Sequence, residues 1–164
     1  MAGFLYRHWQ KTITFFMWYN ILRFASIFLV VLSLGPGLAH LLELVNKMKL
    51  SGREYLIVQQ IYRGWSLLGI VIFLSLFTTL GTTIISYRHG NGYKLKLAAF
   101  FSLVLSQVLF WTLTYPVNIE TKNWTILPSN WMALRDKWEF SHAAGAMFTF
   151  CALVFLVKDI AYRR

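Results

Sequence analysis

The chain has 164 residues, of which 57% are hydrophobic and only 13% charged. Soluble domains run near 45–50% apolar and about 25% charged, so an ordinary soluble globule is excluded, and a disordered chain equally. The net charge of +10 raises nucleic acid as a partner, but the basic residues stand singly at the ends of apolar runs and form no stripe; membrane lipid is the expected partner, and no nucleic acid.

In chain order, Phe4, Leu5, Trp9, Thr12, Phe16 and Tyr19 share one helical face, away from Arg7 and Lys11. This pattern predicts an interfacial helix over 4–19, or simply the start of the first spanning helix. A spanning helix needs about 20 apolar residues. The first candidate covers about 24–45, with His40 and Glu43 its only ionisable residues. It is too long for a simple signal peptide and is expected to be retained. Gly35-Pro36-Gly37 interrupts it and predicts either a kink or a close helix contact. Ser51 and Glu54 fit a capping box, opening a helix with no breaker expected through Gly64 into the second span, 64–87. The third span, 97–119, carries no charge. Pro128-Ser129-Asn130 predicts the start of the fourth helix, with a span at 138–157 and an end near Tyr162. No alternating strands of barrel length occur. The expected fold is all-α: one transmembrane domain over 1–164, an integral membrane four-helix bundle with a small helical cap on the non-cytoplasmic side.

An even number of spans puts both termini on one side. Arg7, Lys11, Arg23, Arg88, Lys94, Lys96, Lys158, Arg163 and Arg164 fall there; Lys47, Lys49, Arg53, Arg63, Lys122, Arg135 and Lys137 fall opposite. The excess predicts cytoplasmic termini, with a bacterial inner membrane as the expected location.

Ionisable groups inside a bilayer are costly, from about 2.5 kcal/mol at its centre, and usually mark function. His40-Leu-Leu-Glu43 and Glu139-Phe-Ser-His142 each place an imidazole and a carboxylate three apart, on one helical face. Their order is reversed, and helices one and four run antiparallel, so the pairs can meet at one depth. Neutral histidine and carboxylate form a ligand set for a transition metal, and histidine also suits haem. The same four residues, His40, Glu43, Glu139 and His142, also suit metal-free proton transfer, or interhelical fastening. The cofactor is therefore open: none, a transition metal, or haem. Arg135 shares the face of Glu139 and His142, and Asn118 closes the third span; both are candidates to stabilise an anionic oxygen. Tyr62, Arg63, Trp131 and Trp138 are the candidates to line a pocket for a lipophilic small molecule, with an aromatic belt as the plainer role for the tryptophans. Cys151 is alone, which excludes an internal disulfide.

Three features together resemble the anthrone-oxygenase-like membrane proteins: His40-x-x-Glu43, Pro116-Val-Asn118, and Trp131-x3-Arg135-x2-Trp138-x3-His142. The resemblance covers about residues 20–160. It implies a small membrane oxidoreductase or oxygenase acting on lipophilic, often aromatic, substrates without a cofactor of the usual kind. It also implies His40, Asn118, Arg135 and His142 as site residues. Where that pattern has an asparagine two residues before the proline, this chain has Thr114. Two further readings stand beside it: a non-catalytic membrane subunit or lipid-binding scaffold, in which an oligomer is possible, and a haem or metal carrier.

Overall fold

A computed structural model describes residues 2–90 and 92–162; at 2–9, 11 and 12 only the backbone is described. The predicted interfacial face of Phe4, Leu5, Trp9 and Thr12 therefore lies outside the described side chains. The described residues form six α-helices: α1 (Ala2–Lys47), α2 (Gly52–Gln59), α3 (Leu68–Arg88), α4 (Lys94–Leu109), α5 (Tyr115–Glu120) and α6 (Trp131–Ala161). No break separates 4–19 from the first span, so that segment is the start of α1.

Four helical stretches are long and apolar enough to cross a membrane: Ile13–Lys47, Trp65–Arg88, Lys94–Glu120 and Trp131–Ala161. They close a ring in which α1 packs on α3 and α6, and α4 packs on α3 and α6. The ring is apolar outside and partly polar inside, as lipid requires. On α3, Phe73, Phe77 and Ile84 face outward, while Ser75, Thr79, Thr82, Thr83 and Ser86 are buried. These hydroxyls bond largely to their own helix: Thr82 and Thr83 both donate to the Thr79 carbonyl, at 2.9 and 2.7 Å. Short side chains let helix backbones approach where lipid supplies no hydrophobic drive. Val30, Ala99, Leu103, Ala152 and Leu156 form the apolar centre of the bundle.

The helix expected to run unbroken from Ser51 into the second span does not. α2 stops at Gln59, a tight turn covers Gln60–Tyr62, and Gly64 takes a left-handed φ of 90° before a second tight turn, Trp65–Leu67, leads into α3. Glycine enters that region without a Cβ clash. The break folds α2 back over the bundle end, which an extension of α3 would have carried away from it. The cap is real but bent, with its own core of Tyr55, Val117, Trp124, Leu134 and Trp138.

Two irregularities in the spans bear on the site. Pro36 is accommodated within a continuous α1, and a Cβ on Gly37 would lie 3.1 Å from Ala146 Cβ. The glycine therefore marks a close contact between α1 and α6, one turn from His40 and one turn from His142. In the third span a wide π turn, Phe110–Thr114, separates α4 from α5. Pro116 has no N–H to offer the Thr112 carbonyl, and a π turn is one way a helix absorbs such a defect.

Candidate functional site

The α1–α6 contact brings the two His–Glu pairs to one level. The imidazoles of His40 and His142 stack, with ring centroids 4.4 Å apart and planes 30° from parallel. Trp138 sits edge-on to both, at 4.9 and 4.2 Å. Tyr62 packs on His40 at 4.4 Å, Trp65 at 5.8 Å, and Phe110 of the π turn approaches His142 at 6.4 Å.

Lys47 occupies the centre of the charged part. Its side chain is 3% exposed, and its Nζ lies 3.0 Å from Glu43, 3.3 Å from His40 Nδ1 and 3.5 Å from Glu139. An ammonium has three protons and no lone pair, so each of the three contacts is a donation from lysine. His40 must therefore accept at Nδ1 and carry its proton on Nε2, which makes it neutral. Lys47 also stands over the Tyr62 ring at 4.4 Å.

The two carboxylates are held from the cap. Tyr62 donates its hydroxyl to Glu43 in a short hydrogen bond. Tyr55 and Gln59 of α2 donate to Glu139 Oε1, at 2.8 and 3.3 Å. Glu139 is fully buried, and no hydrogen bond from a described residue engages its other oxygen, Oε2. Burial, and then the charge of Glu139, raises the Tyr55 phenol above its ordinary range, and burial with the Glu43 contact does the same for Tyr62. Both phenols therefore remain donors across the neutral range. His142 differs from every other polar member: no hydrogen bond from a described residue engages its ring nitrogens, and the residue is partly exposed.

Of the residues predicted for the site, His40, Glu43, Glu139, His142, Tyr62 and Trp138 come together. Asn118 is one step removed: its Oδ1 accepts the Trp138 indole N–H at 2.7 Å and so fixes the ring that borders both imidazoles. Arg135 is committed elsewhere. It donates to the carbonyls of Met48 and Leu50, at 3.1 and 3.4 Å, and to Asp136, and it lies over the Trp131 ring. That binds the turn after α1 to α6 and keeps both Arg135 and Trp131 off the imidazoles. Arg63 is exposed and bonds Gln60. Sequence reasoning placed Lys47 among the flanking charges, yet His40, Glu43 and Lys47 at i, i+3 and i+7 occupy one face, which was the available signal.

The metal reading fits this arrangement poorly. Nearly parallel imidazoles present faces to each other, whereas a shared ion needs both lone pairs to converge at about 2 Å. A cation, Lys47, already fills the point common to His40, Glu43 and Glu139. Among the described residues no group of three histidine, cysteine, aspartate or glutamate side chains is arranged to hold a metal ion.

Comparison with family models, curated proteins and solved structures returns no match.

Proposed function

We propose that the chain is an integral membrane oxidoreductase of the oxygenase type, taking a proton from a lipophilic, aromatic substrate at His142. The observation behind this reading is the state of His142. A general base needs an open lone pair, a fixed ring and an environment that favours the anion it creates. His142 is held between His40 and Trp138, its nitrogens are uncommitted among the described residues, and Lys47 lies just beyond the His40 ring. In this reading His142 removes an acidic proton from the substrate. The Nε2–H of His40, backed by Lys47, faces the charge that develops, a role the sequence had assigned to Arg135 and Asn118. The resulting carbanion adds to dioxygen, the oxidant, forming one C–O bond; the peroxide takes back the proton held by His142, and cleavage of its O–O bond with loss of the second C–H proton leaves a carbonyl and releases water. The resemblance to anthrone oxygenases supports the substrate class.

The same reading places the protein in a bacterial inner membrane with both termini cytoplasmic, and the cap outside. A cysteine at position 122 in a Cys151→Ala background should react with an impermeant thiol reagent in intact cells, and one at position 88 should not; the opposite result reverses the orientation.

The enzymatic reading is tested in proteoliposomes with an anthrone as probe, following oxygen uptake and quinone formation. Wild-type protein should accelerate both, and His142→Gln should not. Equal rates from a folded His142→Gln protein would remove the base. The remaining reading would then be a membrane scaffold, in which the buried ion network only fastens helices.

A further inference from the structure

An open cleft of about 470 Å³ lies at the other end of the bundle, away from the imidazoles, where α3 gives way to α4 and α6 ends. Its walls include Tyr87, Tyr93, Lys94, Asp159 and Tyr162. Asp159 does not make it a cation site, because its charge is already taken. Its Oδ2 lies 2.5 Å from Lys96 Nζ and 3.3 Å from the Arg23 guanidinium, and Asp159 and Lys96 are 4% and 1% exposed.

Arg23 and Lys96 both pair with Asp159, and the opening turn of α4 contains Lys94 and Lys96 and no acidic residue. Arg88 closes α3 beside the cleft, and Lys158 precedes Asp159 in the last turn of α6. Among the described residues no hydrogen bond engages the hydroxyls of Tyr87, Tyr93 and Tyr162 or the ammonium of Lys94. Three tyrosines and Lys94 thus line one space, with Arg88 and Lys158 close by in sequence. The space lies at the ends of membrane-spanning stretches, where tyrosine meets lipid headgroups.

We propose that this cleft binds the phosphate headgroup of an anionic phospholipid. Lys94 supplies the exposed charge, and Tyr93 and its neighbours donate to the phosphate oxygens. The lipid chains run down the apolar outer faces of α3 and α6. Nothing in this site depends on His142 or on any reaction there.

The test measures lipid retention by native mass spectrometry and thermal unfolding in phosphatidylcholine nanodiscs, with and without phosphatidylglycerol. Wild-type protein should retain phosphatidylglycerol and unfold at a higher temperature with it. A basic residue near an anionic membrane surface contributes enough that Lys94→Gln should weaken retention about fivefold. Tyr93→Phe should weaken it further in combination. Lys122→Gln, the same charge change at the opposite end, should leave retention unchanged. An equal loss from Lys122→Gln would show diffuse attraction and overturn the site. Equal stabilisation by phosphatidylethanolamine, or by inorganic phosphate alone, would overturn its assignment to an anionic lipid.

Discussion

Among the described residues the bundle has an ion cluster at each end, and α1 and α6 contribute to both. Arg23 precedes His40 by 17 residues on α1, and Asp159 follows His142 by 17 on α6, about 25 Å along either helix. At the terminal end one carboxylate is gripped by two bases and the acceptor is used up. At the cap end one ammonium serves two carboxylates and an imidazole, two phenols and an amide serve the carboxylates, and two groups are left over: the His142 nitrogens and Glu139 Oε2. Burying charge is enough to fasten helices. Chemistry needs a buried polar group with an unfilled valence beside a charge that can respond to it, and at the cap end the described residues leave His142 and Glu139 Oε2 in that state beside Lys47.

Substitutions should separate the clusters by what they damage. His142→Gln should lower turnover by about 10²–10⁴, the usual loss for a general base, while thermal stability stays within about 1 kcal/mol of wild type. Asp159→Asn should do the reverse. It leaves Lys96 and Arg23 buried without their acid, at a cost of about 3–5 kcal/mol in stability, with turnover per folded molecule unchanged. Unfolding in nanodiscs alongside oxygen uptake reads both. Loss of turnover in well-folded Asp159→Asn would show that the two ends act as one system.

Much of this arrangement was legible in the sequence. Four apolar stretches, the reversed His–Glu order and the small residues around Pro36 foretold antiparallel spans and facing pairs, because each is a local pattern with one cheap solution in lipid. The break at Gly64 was not, since a lone glycine in an apolar stretch reads equally as helix or hinge and only the α2 packing decides. Lys47 was misjudged for a related reason. At the end of a span a lysine is usually a solvated flank, and its inward turn depends on Glu139 and Tyr62, which are distant in sequence. Arg135 shares a face with His142, but a long side chain can serve either end of its helix, and the unsatisfied carbonyls of Met48 and Leu50 claim it.

The cap's grip on Glu139 is the next smaller effect. Tyr55→Phe removes a hydrogen bond to a charged acceptor and should cost about 1.5–3 kcal/mol. The folded phenol holds its proton more tightly than the unfolded one, so its contribution is present below the ordinary phenol value of about 10 and is lost as pH rises past it. Wild-type stability should therefore decline above that pH, and Tyr55→Phe should decline less steeply. Identical slopes would mean that Tyr55 does not hold Glu139 in the folded protein.

The smallest effect belongs to the start of α2, where Ser51 donates its backbone N–H and its hydroxyl to Glu54, at 2.8 and 2.7 Å. Those two donors lower the Glu54 carboxyl below its ordinary value. A lowered acid stabilises the fold above its unfolded pKa, and the contribution is lost as pH falls through the folded one. Glu54 is fully exposed, so solvent screens the interaction and the loss at acid pH should be slight. Glu54→Gln should flatten that acid slope and speed amide exchange in the first turn of α2, with turnover unchanged. The reason is positional. Tyr55 is adjacent in sequence, but its ring is locked from the other side by Trp124, with centroids 4.8 Å apart, and by Glu139 itself. If Glu54→Gln cost as much stability as Tyr55→Phe does, the cap would be holding Glu139 through the helix start and not through its own core.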